Sequence, residues 1–299
     1  MKRQNKHAGF TLVEISISLV IFTMVSFFSY QIFRADHKVF VEQEEVVDMQ
    51  QNARVAMDQL IRDMRLAGAG VPTGGAYSDL GHLHPVIPFN GDNNNPDTVM
   101  FLASFENIRT DMNVSMTGKK NAVKVEDAGK FSVGDLALIS GITDEGTESS
   151  EVFEVTFVDV QGQHRLKHEQ SLPWNGNQKL NEIYVIPSRI MQVTWCKYYV
   201  DDSDPLHPRL MMSKNAGPAQ VVADNIENIQ FEYDLSTGEK NQAEPEYPNL
   251  IRKGTITLTA RADTPDPLMS GGVHSVYGTP DNYRRIELKT DVQIRNLKR

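Results

Sequence analysis

Phe10-Thr11-Leu12-Val13-Glu14-Ile15-Ser16-Ile17-Ser18-Leu19-Val20-Ile21-Phe22-Thr23-Met24-Val25-Ser26-Phe27-Phe28-Ser29-Tyr30-Gln31-Ile32-Phe33 decides how this chain is built. The run contains one charge, Glu14, and neither proline nor glycine. As a helix it extends about 36 Å, enough to cross a bilayer whose hydrocarbon core is about 30 Å thick. The residues before it, Met1-Lys2-Arg3-Gln4-Asn5-Lys6-His7-Ala8-Gly9, include three basic groups and no acidic one. A basic flank of that kind stays cytoplasmic while the chain behind it crosses.

Two ordinary explanations account for less. A secretory signal peptide has a shorter apolar run followed by a small-residue cleavage site, and Gln31-Ile32-Phe33-Arg34-Ala35-Asp36 offers none. A plain signal anchor explains the charge and the length but not Glu14. A carboxylate inside a membrane helix costs about 3 kcal/mol on insertion scales, so it calls for a partner. A cut after Gly9 would create one. Phe10 would gain a free amine, Glu14 would become the fifth residue, and the amine of a neighbouring copy would pair with the carboxylate in a low-dielectric core. Such a pair would also set the axial offset between copies.

Gly9-Phe10-Thr11-Leu12-Val13-Glu14 behind a short basic leader resembles the type III signal of prepilins. The resemblance implies that residues 1–9 are a leader removed by prepilin peptidase, that cleavage falls between Gly9 and Phe10, and that Phe10 is N-methylated. It also implies that Glu14 is an assembly contact. Glycine before the cut bond lets the backbone enter a tight protease site.

From Arg34 to Ala67 there is again no proline or glycine. Val39, Val46, Met49, Ala53, Met57, Leu60, Met64 and Ala67 recur mostly at steps of three or four, the spacing of one helix face. Asp58 and Arg62 stand at i,i+4 and would support an exposed face. Gly68-Ala69-Gly70-Val71-Pro72 ends the pattern with the glycine and proline that close helices. The expectation is one helix over Phe10–Ala67. Residues 10–33 would form its membrane or filament-core half and residues 34–67 its amphipathic half.

Residues 68–299 read as a β-rich domain. Predicted strands are Thr98–Ala103, Ala122–Glu126, Asp135–Ser140, Glu151–Asp159, Arg165–His168, Glu182–Pro187, Arg189–Val200, Arg209–Met212, Ile229–Asp234, Thr255–Ala260 and Arg285–Arg295, with Ala223–Asn228 a short helical turn. Pro72–Asp97, Leu172–Asn181, Ser236–Pro248 and Ala262–Asn282 are predicted as long polar loops. Many strands behind one long helix give the α+β class: a long N-terminal helix packed on antiparallel sheets.

Asn52–Gly68 is similar to the helix segment of PilW-type minor pilins and of J-type minor pseudopilins. Gly134–Ser140, Glu151–Thr156 and Arg284–Leu297 resemble the PilW sheet. This resemblance implies a minor pilin that helps initiate type IV pilus assembly, in a tip or priming complex. Its implied partners are other major and minor pilins, prepilin peptidase, the inner-membrane assembly platform and a tip adhesin. Its implied location is first the inner membrane, as a single-pass protein with the bulk periplasmic, and then the pilus at the cell surface. Cell adhesion and twitching motility are the processes it suggests. A minor pseudopilin of type II secretion is the alternative. A membrane-anchored periplasmic binding module, using the long loops, is the alternative of another class.

The composition limits other chemistry. A net charge of −9 argues against broad nucleic-acid binding. The one cysteine, Cys196, rules out an intramolecular disulfide and a cysteine zinc site, and its strand-like surroundings mark it as core. Asp92-Asn93-Asn94-Asn95-Pro96-Asp97 and Asp201-Asp202-Ser203-Asp204-Pro205 carry oxygen ligands that calcium accepts, yet they read first as solvated turns. His82 and His84 lack a third ligand nearby. His164 and His168 read as solvent-facing. Arg284, Arg285, Lys289, Arg295, Lys298 and Arg299 form a basic cluster, read as a charged edge strand rather than a site for DNA or an acidic partner. No P-loop, HExxH, GxGxxG or nucleophile elbow occurs, so the reading assigns no catalytic residue, cofactor or metal.

Overall fold

With neither proline nor glycine to interrupt it, the backbone forms one helix, α1, over Leu12–Leu66. The computed structural model describes residues 11–72, 74–92, 95–119, 122–176, 179–266, 273–274 and 280–297. The predicted leader, Gly9 and Phe10 lie outside them. The chain divides into two units, Met1–Asp48 and Met49–Arg299.

The described part of the first unit is helix alone. Every residue from Thr11 to Val41 is exposed. Val39, which its spacing assigned to a packed face, is 51 % exposed. Among its described residues the first unit contains no strand against which it could be buried. The predicted helix face begins to be buried only at Met49.

In the second unit Met49, Ala53, Ala56, Met57, Leu60, Asp63 and Met64 form the buried stripe of α1. The helix ends where Gly68 takes φ 78°, a conformation that costs glycine nothing. The freed carbonyls of Leu66 and Ala67 accept from Asn296 Nδ2 at 3.2 and 3.4 Å. Gly68 N–H donates to Leu102 O at 2.9 Å. Arg62 does not pair with Asp58 as the spacing suggested; it contacts Asp63 and Gln59.

The strands are β1 (Ala76–Ser78), β2 (Gly81–Leu83), β3 (Val86–Phe89), β4 (Thr98–Ala103), β5 (Arg109–Asp111), β6 (Ala122–Lys124), β7 (Leu136–Thr143), β8 (Glu148–Glu154), β9 (Phe157–Asp159), β10 (Arg165–Lys167), β11 (Tyr184–Asp201), β12 (Arg209–Lys214), β13 (Gln220–Asp224), β14 (Ile226–Leu235), β15 (Ile251–Arg261), β16 (Val273–His274), β17 (Pro280–Asp281) and β18 (Arg285–Gln293). The largest sheet runs β13-β12-β11-β7-β8-β1-β2, with β4 and β5 also on β11 and β3 on β4. Its first half of β11 lies between β7 and β5, and its second half between β12 and β4. Pairing is antiparallel except at the single contact of β1 with β8. Smaller sheets are β6-β10-β9, β14-β15-β18 and β16-β17.

Leu136-Ala137-Leu138-Ile139 in β7 is buried throughout because both faces of its sheet are covered. Ala137 and Ile139 pack with Phe153, Val123 and Leu166, beneath the small β6-β10-β9 sheet. Leu136 and Leu138 pack on the other face with Val152, Val193 and Trp174. Residues 49–66 of α1 meet β11 and β15. Gly254 in β15 leaves room for Met64, whose sulfur would lie 2.7 Å from a Cβ there.

The α+β class stands, and several boundaries are corrected. Glu182–Pro187 and Arg189–Val200 are one strand, β11, with a register shift between Tyr184 and Ser188. Glu151–Asp159 is two strands, β8 and β9, that enter different sheets. Ala223–Asn228 is not a helical turn. Asn225, at φ 58°, turns the chain between β13 and β14, a conformation asparagine tolerates. The predicted loop Pro72–Asp97 contains β1, β2 and β3, and strands β5 and β13 were too short or too polar to stand out.

Candidate functional site

The site the sequence singles out is the start of α1. Gly9 and Phe10 lie outside the described residues, so the structure shows Glu14 and what surrounds it. Thr11 precedes the helix and Glu14 is its third residue. Thr11 N–H donates to Glu14 Oε2 at 2.8 Å, Thr11 Oγ1 donates to the same oxygen at 2.9 Å, and Glu14 N–H donates back to Thr11 Oγ1 at 3.3 Å. This is a reciprocal capping box. The Thr-x-x-Glu spacing was readable in Thr11-Leu12-Val13-Glu14. Reading Glu14 only for its charge missed it, and missed Thr11 as its partner.

Behind the box the helix is apolar and bare. Leu12 is 82 % exposed and Phe22 69 %. The apolar stretch of α1 is not buried at all, and α1 is long and apolar enough to cross a membrane. Two polar side chains in the run turn back onto the backbone: Ser16 Oγ donates to Leu12 O and Thr23 Oγ1 to Val20 O, each at 2.9 Å. Their hydroxyls are thereby satisfied without water, as a lipid or filament interior requires. Arg34 lies over the Tyr30 ring at 5.9 Å, where the apolar run gives way to charge.

The remaining candidates fall into structural roles. Cys196 is buried, and burial pushes its thiol up to about 12. Asp97 is buried rather than solvated. Its carboxylate accepts from Gly91 N–H at 2.8 Å and Phe231 N–H at 2.7 Å, tying its loop to β14. Asn93 and Asn94 lie outside the described residues. Asp201 and Asp204 cap turns, accepting from Ser203 N–H and Leu206 N–H. Among the described residues no three His, Cys, Asp or Glu side chains are placed to hold a metal.

His168 corrects the sequence reading. It is 1 % exposed, beside the Phe153 ring at 4.8 Å, and burial lowers it to about 4. The chain around it is drawn in by Asn175, which bonds Glu154 N–H and O and Glu169 O. His164 is half-buried at φ 45°. The basic cluster is largely spent internally. Arg284 bonds Asp266, Arg285 bridges buried Glu227 and Asp281, and Lys289 meets Glu232. Its strand β18 is indeed an edge strand. Lys298 and Arg299 lie outside the described residues.

Comparison with known proteins places the motif. Residues 4–30 match the family described as prokaryotic N-terminal methylation motif. No curated protein matches the chain. Among solved structures, a type IV-like pilin from Thermus thermophilus is similar at 14 % identity and a TM-score of 0.39, over 85 % of this chain and 97 % of that one. The chain therefore carries a prokaryotic N-terminal methylation motif, the type IV pilin signal, running into an exposed apolar helix.

Proposed function

We propose that this chain is a pilin-type structural subunit: a membrane-anchored precursor, cut after Gly9 and methylated at Phe10, that joins a filament through its N-terminal helix. One observation carries the reading. The methylation motif at residues 4–30 overlaps a helix that is exposed from Leu12 to Val41. An apolar surface of that extent needs lipid before assembly and neighbouring helices after it.

Within that reading the chain is a minor pilin of the PilW type, helping to start assembly beside other major and minor pilins on an inner-membrane platform. The bulk of the chain is periplasmic before assembly and reaches the cell surface with the pilus. Its role is assembly rather than catalysis. Glu14 serves twice in succession. In the free subunit it caps its own helix through Thr11. In the filament it exchanges part of that bonding for the cationic amine of a neighbouring Phe10, an attraction that strengthens as water is excluded. The test is co-expression with prepilin peptidase and an assembly platform, followed by shearing and filament fractionation. The chain should reach the sheared fraction only when the peptidase is present. Retention in the membrane with all components supplied would contradict the proposal.

A further inference from the structure

We propose that the groove between the β1–β2 hairpin and the β7–β8 turn is a binding site for a neutral saccharide. The groove encloses about 630 Å³, the size of an ordinary small-ligand site. It lies wholly within the second unit, and nothing in the assembly reading uses it.

Its chemistry selects the ligand class. One wall presents Tyr77, 54 % exposed on an otherwise short hairpin. The flat, electron-rich face of such a ring accepts the C–H edge of a sugar. The ring is held before any ligand arrives: its centroid is 4.6 Å from that of His82, which in turn packs edge-on against His84 at 4.5 Å. The hairpin is pinned beneath it by Ser150 Oγ, which donates to Gly75 O at 2.8 Å. A preorganised aromatic plate avoids the ordering cost of a mobile one. The facing wall supplies hydroxyls from Ser140 and Ser149, the exposed carboxylate of Glu148, and an apolar lip at Ile142 and Pro187. Hydroxyl and carboxylate groups of this kind both satisfy sugar hydroxyls.

Charge narrows the class further. Among the described residues lining the groove there is no Lys or Arg. Burial holds the His82 imidazole below its usual value, so it is neutral at pH 7. Glu148 is thus the one full charge facing a ligand, and phosphates, sulfates and sialic acids would be repelled. A lone carboxylate is too few ligands for a metal ion.

The proposal is tested on the detergent-solubilised full chain by saturation-transfer NMR. The neutral probes are N,N′-diacetylchitobiose and maltotriose, and the anionic control is sialyllactose. At least one neutral probe should bind with a Kd of about 1 mM or tighter, with transfer strongest at ring C–H protons. Tyr77→Ala should weaken it about tenfold or more and Tyr77→Phe should restore it. Because Tyr77→Ala also removes a ring contact from the hairpin, Glu148→Arg provides a surface variant that leaves the fold alone. It should raise sialyllactose binding relative to the neutral probes. Absence of transfer from both neutral sugars, or binding unchanged by Tyr77→Ala, would overturn the proposal. So would saturation by a short polyproline peptide with none by either sugar. The readout is independent of processing at Gly9, so its failure would leave the assembly reading standing.

Discussion

Tyr198→Phe tests how α1 is fixed to the sheet in the second unit. Asp63 lies on the buried stripe of α1 and is 4 % exposed. Its carboxylate accepts from the Tyr198 hydroxyl, from Gln59 Nε2 at 3.0 Å and from Arg62 Nε at 3.3 Å. Gln59 Nε2 also donates to the Tyr198 oxygen at 3.1 Å. Burial and the Asp63 charge both raise the Tyr198 phenol, which stays protonated and remains a donor. Phenylalanine keeps the ring and its packing 5.9 Å from Phe101. Only the hydroxyl is lost, and with it one charge-assisted bond to a carboxylate that remains buried and the acceptor of one Gln59 Nε2 bond. Hydrogen bonds to charged groups contribute about 1.5–3 kcal/mol, and the two surviving partners place the loss near 2 kcal/mol. At an m-value of about 3 kcal/mol/M, the urea midpoint falls by about 0.7 M. Trp174 and Trp195 report unfolding of this unit by fluorescence, since they lie in and against one of its cores. In a double-mutant cycle with Asp63→Ala, the coupling should be about 1–2 kcal/mol. A midpoint within error of the native chain, or coupling near zero, would refute the view that this contact anchors the helix.

Other perturbations have equally definite outcomes. His168 is buried neutral at about 4, so the unfolded chain binds its proton first as pH falls. Its contribution is complete above the unfolded value near 6.5 and is lost progressively down to about 4, by up to about 3 kcal/mol. Burial raises Glu151 and Asp97, which work in the opposite direction, so His168→Gln isolates the histidine and should flatten the pH–stability curve between those limits. Gly254→Val should cost about 1–3 kcal/mol in the same urea assay, because its side chain collides with Met64. Glu14→Ala should be processed yet enter filaments poorly, while Thr11→Ala, which costs about 1 kcal/mol of helix capping, should enter far better. Equal defects in filament recovery would show that Glu14 acts only as a cap.

Local signals carried the long helix, its glycine stop, the methylation motif and most strand positions. Each depends on neighbours in sequence: an unbroken helix-compatible run, a glycine that reaches positive φ, alternation over a few residues. The Thr11–Glu14 box was equally local and was overlooked because charge in a membrane helix drew the interpretation. What stayed hidden was set by distant pairings. Asp63 meets Tyr198, and Arg285 reaches Glu227, across long sequence separations. His168 looked like a surface residue beside a short strand, and it is buried by residues distant in sequence, Phe153 of β8 among them. The groove beside Tyr77 is assembled from four separate stretches, and the hairpin that forms its wall sat in a segment read as loop.

The central claim concerns the bond between Gly9 and Phe10. Intact mass and N-terminal sequencing of the chain, isolated from cells that contain prepilin peptidase, test it directly. The account predicts a chain that begins at Phe10, lacks residues 1–9 and carries one added methyl group on its N-terminus. A chain that retains Met1, or begins at a residue far from Phe10, would contradict it.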